Sequence, residues 1–380
     1  MVTKTQTSTL EKVKGEKRER NGDQADIENG KEMLSSKLKS WIEHLGIDVA
    51  SYEETLSNVI NKSKQRYYRV RSGEDKDENS IINWLRDVDI YVSSGSIPKS
   101  AIGIDSSSAA VVDALKLGRI PEQELDVWIL DMCCAPGGKL LAMISSLEKF
   151  SDRNRKWNVV GLDMVKRRLD VCKSLLKKER FDESKITIKL NCTESQEFRE
   201  LDGESMIGKF DRIILDVECT HEGSLRSVAR TLKYWGVSPL EERWTRENAD
   251  KIVLNQKRLL RHAISLIKPG GIIVYSTCSL DVQQNELLVS SVIQEFDNVK
   301  FFPIPINQCD CCSPTKRIGS WPIIPSISPS KPSYPYEYFY KFSKEEMELC
   351  KNASSPVAVR FNPVGSTSDG LFICNIIKIL

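Results

Sequence analysis

Two cysteines of this chain follow apolar runs that have the composition of buried β-strands. Cys219 comes after FDRIILDV (210–217), and Asp216 lies within that run. Cys278 comes after GIIVYST (271–277) and is predicted to stand at a strand-to-helix turn. A deprotonated cysteine is a strong nucleophile, and the amides of a helix N-terminus lower the pKa of a nearby thiol. The pattern therefore indicates nucleophilic chemistry beside a carboxylate.

A third segment that could bind a ligand lies at the end of an earlier apolar run, VWILDMC (127–133). Small residues and two glycines let the backbone approach a ligand closely, and the helix that follows would point its N-terminal amides at that ligand. Asp163, at the end of the next predicted strand, is placed to accept hydrogen bonds from a ribose diol. Such a turn with such an acid fits either a dinucleotide or an S-adenosyl group. The residues of the turn are Cys133, Cys134, Ala135, Pro136, Gly137, Gly138 and Lys139.

Apolar runs alternate with amphipathic patterns from Ala101 onward, which is typical of βα units and a parallel sheet. The fold class is accordingly α/β, a mostly parallel sheet with helices on both faces. Such a sheet binds its ligands beyond the carboxyl ends of its strands, so we expect the three segments to meet at that edge, called the rim below. A long helix over 247–267 is predicted to be closed by KPGG at Lys268–Gly271. The predicted strands are 127–133, 157–163, 185–190, 210–217 and 271–277, with a last hairpin or strand at 368–380.

The composition of the chain changes along its length and predicts three parts. Residues 1–32 have almost no apolar periodicity and are predicted to be a disordered tail. Residues 33–100 are predicted to form a small α+β module, and residues 101–380 the main domain. Within the main domain, 303–358 is rich in Pro and Ser and is predicted to be a long insertion.

Three helices can be predicted inside the 33–100 module from local signals. The first is predicted over 36–47, because Leu38, Trp41, Ile42 and Leu45 are spaced at helical intervals. Ser51 is predicted to be the N-cap of one helix, because Glu54 follows three residues later and completes a capping box. A further helix is predicted over 78–87, after a strand-like segment at 66–72.

The whole chain has no large excess of positive charge that would indicate a nucleic-acid partner. Lys plus Arg total 55 against 53 for Asp plus Glu, so any such contact must depend on local patches. The stretch 166–180 is the most basic. It could bind the phosphates of RNA, or it could be an ordinary solvent-exposed helix face. A second patch mixes basic and aromatic side chains suited to stacking on bases, although Tyr67 and Val70 could equally be core residues. Its members are Arg66, Tyr67, Tyr68, Arg69 and Arg71.

Composition also limits the compartment and the kind of site. With 40% hydrophobic and 28% charged residues, the chain has the make-up of a soluble globular protein. No apolar run approaches the roughly 20 residues that span a bilayer, and the first 32 residues are too acidic for a secretory or mitochondrial signal. Eleven scattered cysteines favour a reducing compartment, so a nuclear, nucleolar or cytoplasmic location is expected. Cys309, Cys311 and Cys312 lack a second cysteine pair, so no metal site is expected.

The order of these motifs resembles one enzyme family. DMCCAPGGK (131–139) resembles the cofactor turn of the Sun/Nop-type (RsmB/NOP-type) RNA cytosine-C5 methyltransferases, and 256–286 is similar to the block that ends in the family's TCS nucleophile motif. GIDSSSAAVVDALKL (103–117) is similar to the family's D-x-S-S helix, and RFNPVGSTSDGLFICNI (360–376) to its closing strand. The resemblance implies a class I S-adenosylmethionine methyltransferase fold, with S-adenosyl-L-methionine as cofactor and RNA, in the first place transfer or ribosomal RNA, as substrate.

The resemblance also implies a role for each matching residue. Cys278 would attack C6 of the cytosine, so that C5 becomes nucleophilic and takes the methyl group. Cys219 would help to remove the C5 proton and release the product. Asp216 would stabilise the activated base at N3. The cofactor would be held by the turn at Cys133–Lys139, by Asp163 and by Asp216. After the third strand the family's acidic residue is not evident, and Asn191 is the candidate for the cofactor contact there.

The segment around Cys219 departs from the family pattern. The family has proline before this cysteine and serine-glycine after it, whereas this chain has Glu218, Thr220 and His221. Glu218 is expected to raise the pKa of the Cys219 thiol. His221 could act as a nearby base or simply reshape the loop, and we prefer the second interpretation.

Two other functions stay open at this point. A protein with this fold that has lost turnover could act as an RNA-bound scaffold, and the altered segment around Cys219 favours it. A nicotinamide-dependent dehydrogenase is compatible with the fold but leaves both rim cysteines unexplained.

Overall fold

The computed structural model describes residues 33–61, 66–70, 81, 85–93, 97–99, 101–150, 154–302, 358–361, 363–364 and 369–379. The predicted tail over 1–32 and the insertion up to residue 357, with Cys350 and the 309–312 cysteines, lie outside the described residues. Among the described residues, no helix is both long and apolar enough to cross a membrane.

An eight-stranded sheet forms the centre of the main domain, in the order β11-β13-β10-β9-β4-β5-β6, with β12 paired to β13. The five predicted strands are confirmed and run parallel to one another, while the strands after residue 298 pair antiparallel, β13 with β10 among them. The strands of this sheet are β4 (Asp126–Asp131), β5 (Lys156–Leu162), β6 (Ile186–Asn191), β9 (Phe210–Asp216), β10 (Ile267–Thr277), β11 (Val299–Phe301), β12 (Ala358–Phe361) and β13 (Leu371–Lys378).

Helices cover both faces of this sheet, which confirms the predicted α/β class. Successive side chains of a strand point to opposite faces, so Ile214 of β9 joins one hydrophobic cluster and Ile213 and Leu215 join another. The first cluster packs α3 (Ser106–Asp113), α4 (Gly138–Glu148) and α5 (Lys166–Leu176) against the sheet. The second packs α8 (Arg246–Leu266) and α9 (Glu286–Ile293) on the other face.

The strand that carries Cys278 begins earlier than predicted. β10 starts at Ile267, and its register with β9 shifts between Ile267 and Ile272. KPGG at Lys268–Gly271 therefore lies in an irregular part of the strand. It does not close the helix as predicted, because α8 already ends at Leu266. Glycine permits this irregularity, since Gly270 has a φ of 79°.

Residues 33–61 form two helices, α1 (Ser36–His44) and α2 (Val49–Asn61), that pack on the main domain. They share a hydrophobic cluster with α6 (Leu225–Trp235) and α7 (Ser238–Arg243). The predicted N-cap at Ser51 is wrong, because Ser51 lies inside α2. Its N–H donates to Asp48 Oδ2 over 2.8 Å, so the aspartate caps the helix instead.

A small antiparallel sheet of β1 (Arg66–Val70), β2 (Tyr91–Ser93) and β3 (Ala101–Gly103) follows. Tyr67 and Val70 are buried in it, so for these two residues the interpretation as core residues is confirmed. The helix predicted over 78–87 is wrong where it can be tested. Ile81 forms a β-bridge with Tyr91 and residues 85–87 are not helical, while 78–80 and 82–84 lie outside the described residues.

Candidate active site

The carboxyl ends of β4, β9 and β10 are adjacent, so the rim predicted from the sequence exists. β9 lies between the other two strands, and Asp216 of β9 pairs with Ser276 of β10. Just beyond these strand ends, the Sγ atoms of Cys219 and Cys278 lie 3.4 Å apart. Cys219 is buried and Cys278 is partly exposed, so Cys278 is the more accessible of the two to a ligand.

His221 contacts both sulfur atoms. Its Nδ1 lies 2.9 Å from Cys278 Sγ and 3.7 Å from Cys219 Sγ. The backbone at His221 has a φ of 68°, the left-handed conformation that residues other than glycine seldom adopt. This conformation turns the loop so that the ring lies against the thiol pair. His221 is therefore part of the site, and loop shape alone does not account for it.

Gly223 sets the distance between the loop after β9 and the turn after β10. Its N–H donates to the Cys278 carbonyl over 2.9 Å, and its carbonyl accepts from the Gly370 N–H over 2.8 Å. A Cβ at position 223 would lie 2.7 Å from the Cys278 oxygen, which is closer than any side chain tolerates. Glycine at this position thus lets three segments of the chain meet behind the thiols.

Buried polar side chains hold the same two loops together. The Thr220 N–H donates to Gln284 Oε1 over 3.2 Å, and the Thr220 hydroxyl accepts from Gln284 Nε2 over 2.7 Å. Thr220 Oγ1 also lies 2.9 Å from Ser279 Oγ. Asn285 Nδ2 donates to the Ser279 carbonyl over 2.9 Å. Such a connected buried network makes the position of Cys278, next to Ser279, rigid.

Glu222 connects this network to the N-terminal helices, and the sequence analysis did not single it out. Its fully buried carboxylate accepts from Trp41 Nε1 over 2.8 Å and from Ser279 Oγ over 3.0 Å. Its carbonyl accepts from the Tyr52 hydroxyl over 2.7 Å. Burial raises the pKa of the Glu222 carboxyl, and hydrogen bonds, that of Thr220 first, offset part of this shift. Its partners are distant in sequence, so no local pattern could have revealed its role.

Lys139 and Asp216 form an ion pair at the start of α4 and the end of β9. Lys139 Nζ lies 2.8 Å from Asp216 Oδ2, and Asp216 Oδ1 accepts from Ser276 Oγ over 2.8 Å. Burial opposes the charge of Lys139, but the Asp216 carboxylate outweighs burial, so the pKa of Lys139 is raised. Both carboxylate oxygens of Asp216 thus accept hydrogen bonds in a site where the lysine stays charged.

Asp131, the last residue of β4, is a second carboxyl at the rim that the sequence analysis did not single out. It is buried and accepts a hydrogen bond from the Cys133 N–H over 3.2 Å. Burial, with the charge of Asp216 adding to it, raises the pKa of Asp131 to about 7. Burial, with the charge of Asp131, also raises the pKa of the Cys133 thiol. A carboxyl that titrates near neutral pH beside a ligand-binding turn is a candidate functional group.

The glycine-rich turn and Asp163 lie side by side, because they follow the neighbouring strands β4 and β5. Arg168 bridges them: its Nη2 donates to the Ala135 carbonyl over 2.7 Å, and its Nη1 lies 3.4 Å from Asp163 Oδ2. Gly137 has a φ of 113°, and a Cβ there would lie 3.0 Å from Cys172 Sγ. The tight turn therefore requires glycine at this position.

Asn191 ends β6 and extends the row of strand ends by one position. Its carbonyl accepts from the Asp163 N–H over 3.4 Å. The residues predicted to hold a cofactor thus follow the four consecutive strands β9, β4, β5 and β6, and they are Asp216, Cys133–Lys139, Asp163 and Asn191.

The two rim thiols have opposite pKa shifts because they share a hydrogen bond. Burial raises the pKa of Cys219, but the hydrogen bond with Cys278 and the charge of His221 outweigh burial, so the pKa of Cys219 is well below its usual range. The hydrogen bond with Cys219, together with burial, raises the pKa of Cys278. Glu218 was expected to raise the pKa of Cys219, but that pKa is lowered because the effects of Cys278 and His221 dominate, and the Glu218 side chain is exposed to solvent.

Two further cysteines belong to the hydrophobic core. Cys172 and Cys374 are completely buried among hydrophobic side chains, as is typical of cysteines that serve only packing.

Known proteins resemble both the sequence and the structure. NSUN4 of Bos taurus, a 5-cytosine rRNA methyltransferase, is 29% identical over 191 residues, which make up 50% of this chain and 44% of NSUN4. The chain thus spans less than half the length of that relative. The tRNA (cytosine(49)-C(5))-methyltransferase of Pyrococcus abyssi is 26% identical over 231 residues, or 59% of this chain and 65% of that enzyme.

The fold has a counterpart among solved structures, and the sequence matches one family. A methyltransferase homologue from Pyrococcus horikoshii superposes with a TM-score of 0.54 at 21% identity, covering 91% of this chain and 100% of that one. The likeness confirms the predicted methyltransferase fold. The family model described as 16S rRNA methyltransferase RsmB/F matches residues 120–377. Because that match takes in well over half of the chain and includes every strand of the rim, this chain belongs to the RsmB/F methyltransferase family.

Proposed function

We propose that this chain is an S-adenosyl-L-methionine-dependent RNA (cytosine-5)-methyltransferase that acts through a covalent bond between Cys278 and C6 of the cytosine. The observation that carries the proposal is the 3.4 Å separation of the Cys219 and Cys278 sulfurs beside the glycine-rich turn. The names of the bovine and archaeal relatives, a 5-cytosine rRNA and a tRNA (cytosine(49)-C(5)) methyltransferase, support an RNA substrate, with transfer or ribosomal RNA as the first candidates.

The residues around the glycine-rich turn fit S-adenosyl-L-methionine, which supplies the methyl group when bound. A Cβ at Gly138 would meet nothing within 4 Å, so the first turn of α4 borders open space. The buried Asp163 carboxylate suits a ribose diol, and the N-terminal amides of α4 suit a polar ligand. The residues that would hold the cofactor are Cys133, Cys134, Ala135, Pro136, Gly137, Gly138, Lys139, Asp163, Asn191 and Asp216.

The two thiols suit a division of labour on the cytosine ring. An aromatic ring carbon accepts a methyl group only after its conjugation is broken, and addition of Cys278 Sγ to C6 would break it. Cys219, whose pKa is lowered, would then accept the C5 proton. Loss of that proton reforms the C5–C6 double bond and expels Cys278.

Asp216 would orient the cytosine at N3 while it stays paired with Lys139. Its carboxylate is about one quarter exposed (29%), so a base that enters beside Cys278 can reach it. The lysine and Ser276 hold the carboxylate in one orientation, which favours a positioned hydrogen bond over a mobile one.

The RNA backbone would lie along α5 and along the exposed edge of the N-terminal residues. The basic side chains of α5 are exposed, among them Lys166, Arg167 and Lys173. Arg66 is exposed as well, whereas Arg69 is buried and does not belong to an RNA surface. We keep 33–100 as an RNA-contacting module and 101–380 as the catalytic domain within this proposal. A nuclear, nucleolar or cytoplasmic location suits an RNA substrate and reduced thiols.

Transfer of labelled methyl groups tests the function. The protein is incubated with labelled S-adenosyl-L-methionine and total tRNA and rRNA from cells that lack it. We expect label at C5 of cytosine with wild type and none with Cys278→Ala. Cys219→Ala is expected to accumulate a covalent protein–RNA complex that survives denaturation, because attack proceeds and release does not.

Cys192→Ser serves as the matched control, since Cys192 is an exposed thiol that takes no part in the proposed chemistry. It should transfer label at the wild-type rate. RNA binding by wild type without any transfer would favour the scaffold function, which the unusual residues Glu218, Thr220 and His221 bring into consideration.

A further inference from the structure

We propose that His221 is a catalytic residue, whose Nδ1 accepts the proton of the Cys278 thiol during attack on C6 and returns it when the sulfur leaves. This inference rests on the proposed function and extends it by one group. The position is one at which the chain departs from its family's usual residues.

Geometry assigns the imidazole to Cys278 and not to Cys219. The Nδ1 atom lies 2.9 Å from Cys278 Sγ, which is within reach for proton transfer, and 3.7 Å from Cys219 Sγ. Loop residues on both sides hold the ring there. Thr220 is fixed by Gln284, and Gly223 is fixed by the Cys278 carbonyl.

The alternative proton acceptors around Cys278 are already engaged. Asp216 accepts hydrogen bonds at both oxygens, from Lys139 and from Ser276. Cys219 lies 3.4 Å from Cys278, but the reaction moves two protons, one from the Cys278 thiol and one from C5. One thiolate can hold only one of them. A second base leaves the Cys219 thiolate free for the C5 proton, and His221 is the imidazole in contact with Cys278.

The proton count closes with this assignment. The Cys278 S–H bond breaks, its proton goes to neutral His221, and the sulfur lone pair forms the bond to C6. After methylation, the C5–H bond breaks and its proton goes to Cys219. The C6–S bond then breaks, its electron pair stays on sulfur, and the His221 proton returns to it. Cys219 releases its proton to water.

The charges that face His221 and Cys278 shift the pKa values of both groups. The charge of Cys219 raises the pKa of His221, Glu222 acts in the same sense, and Arg243 at the end of α7 lowers it. Around Cys278, Asp216 disfavours the thiolate and Lys139 favours it. The raised pKa of Cys278 means that this thiol needs a base, and the raised pKa of His221 makes its neutral form a stronger proton acceptor.

Alkylation of Cys278 by iodoacetamide tests the inference without RNA. The Cys219→Ser protein is used, so that Cys278 is the one thiol of the rim pair that can be alkylated. The alkylated Cys278 peptide is quantified by mass spectrometry across pH. Adding His221→Asn keeps a residue that tolerates the left-handed backbone but accepts no proton. We expect the pH midpoint of alkylation to rise by about 1 unit or more, which slows alkylation about tenfold near neutral pH. The gap should close at high pH, where the thiol ionises unaided.

His44→Asn in the same background is the control, because His44 is an exposed histidine at the end of α1. It should leave the midpoint unchanged. A midpoint that is also unchanged with His221→Asn would overturn the inference.

Chemical rescue separates this role from a structural one. His221→Gly fits the backbone and leaves space for imidazole, so added imidazole is expected to restore at least part of the lost methyl transfer to total tRNA and rRNA, and more so as imidazole loses its proton. Rescue that is absent, or that does not depend on pH, would contradict proton transfer. Absence of methyl transfer by wild type would instead refute the proposed function. The alkylation experiment would still test whether His221 accepts the proton of Cys278.

Discussion

The loop from Cys219 to Gly223 contains a thiol, an imidazole and a glycine that each contact Cys278. Thr220 and Glu222, between them, point into buried networks instead. Alternate residues of the loop therefore serve chemistry and anchoring. The departure from the family's usual residues keeps the thiol pair and adds a base to it.

Gly223→Ala is expected to separate the two thiols. The added Cβ would lie 2.7 Å from the Cys278 carbonyl and 2.9 Å from that of Gly370, so one backbone must move. We expect methyl transfer to fall at least about tenfold, since displacements near 1 Å can cost about a hundredfold in rate. Calorimetry should give unchanged S-adenosyl-L-methionine affinity, because the cofactor turn is elsewhere. Gly103→Ala, where a Cβ makes only ordinary contacts, should leave the rate unchanged.

Asp131→Asn is expected to change how stability depends on pH. The pKa of Asp131 in the folded chain is raised to about 7, mainly by burial. The folded state therefore binds more protons than the unfolded state between about pH 4 and pH 7, and stability from this group falls as pH rises through that window. The variant lacks this loss. We therefore compare the unfolding free energies of the variant and of wild type by urea denaturation. The value for the variant minus the value for wild type should increase by on the order of 4 kcal/mol as pH rises from about 4 to about 7. A difference that is constant with pH would contradict the assignment.

Sequence analysis located the residues that are proposed to react but not those that hold them in place. Cys278, Cys219 and Asp163 follow strands whose apolar runs are visible, and strand ends of a parallel sheet meet at one edge. Glu222 depends on Trp41 and Tyr52, which are distant in sequence. The position of the His221 ring depends on a left-handed backbone that histidine does not signal.

Among whole elements, the strands were predictable and some boundaries were not. Five strands lie where their apolar runs predicted, because burial on both faces leaves an uninterrupted hydrophobic signal. The start of β10 was missed because its first residues include KPGG, which has the composition of a turn. The start of α2 was missed because Asp48 competes with Ser51 as a cap, and both types are good caps.

Trp41→Phe tests whether α1 supports the thiol pair through Glu222. The change removes the N–H that Glu222 accepts at 2.8 Å and leaves a buried carboxylate short of one donor. We expect unfolding free energy to fall by about 1–3 kcal/mol. Because Glu222 also accepts from Ser279, next to Cys278, methyl transfer should fall as well. Trp235→Phe is the control, since Trp235 is 75% exposed and should affect neither measurement.

In the whole molecule, the described residues before 101 attach to the main domain at several places, and two of these attachments differ in kind. The α1–α2 pair shares a hydrophobic cluster with α6 and α7, on the side of the thiol loop. The small sheet is held differently, through Arg69 of β1. Its guanidinium pairs with Glu179 over 2.6 Å and donates to Ser145 of α4 over 2.8 Å. Both side chains of the ion pair are almost fully buried (2% exposed each).

Burial of this ion pair predicts strong coupling between Arg69 and Glu179. Removing one partner leaves an uncompensated buried charge, so Arg69→Met and Glu179→Met should each lower unfolding free energy by about 3–5 kcal/mol. The double variant has no such charge and should recover most of the loss. Lys251→Met and Glu247→Met provide the matched cycle, because that pair is 2.7 Å apart but exposed and should have no measurable coupling. Strictly additive losses at Arg69 and Glu179 would mean that packing, and not charge, holds the small sheet to the methyltransferase fold.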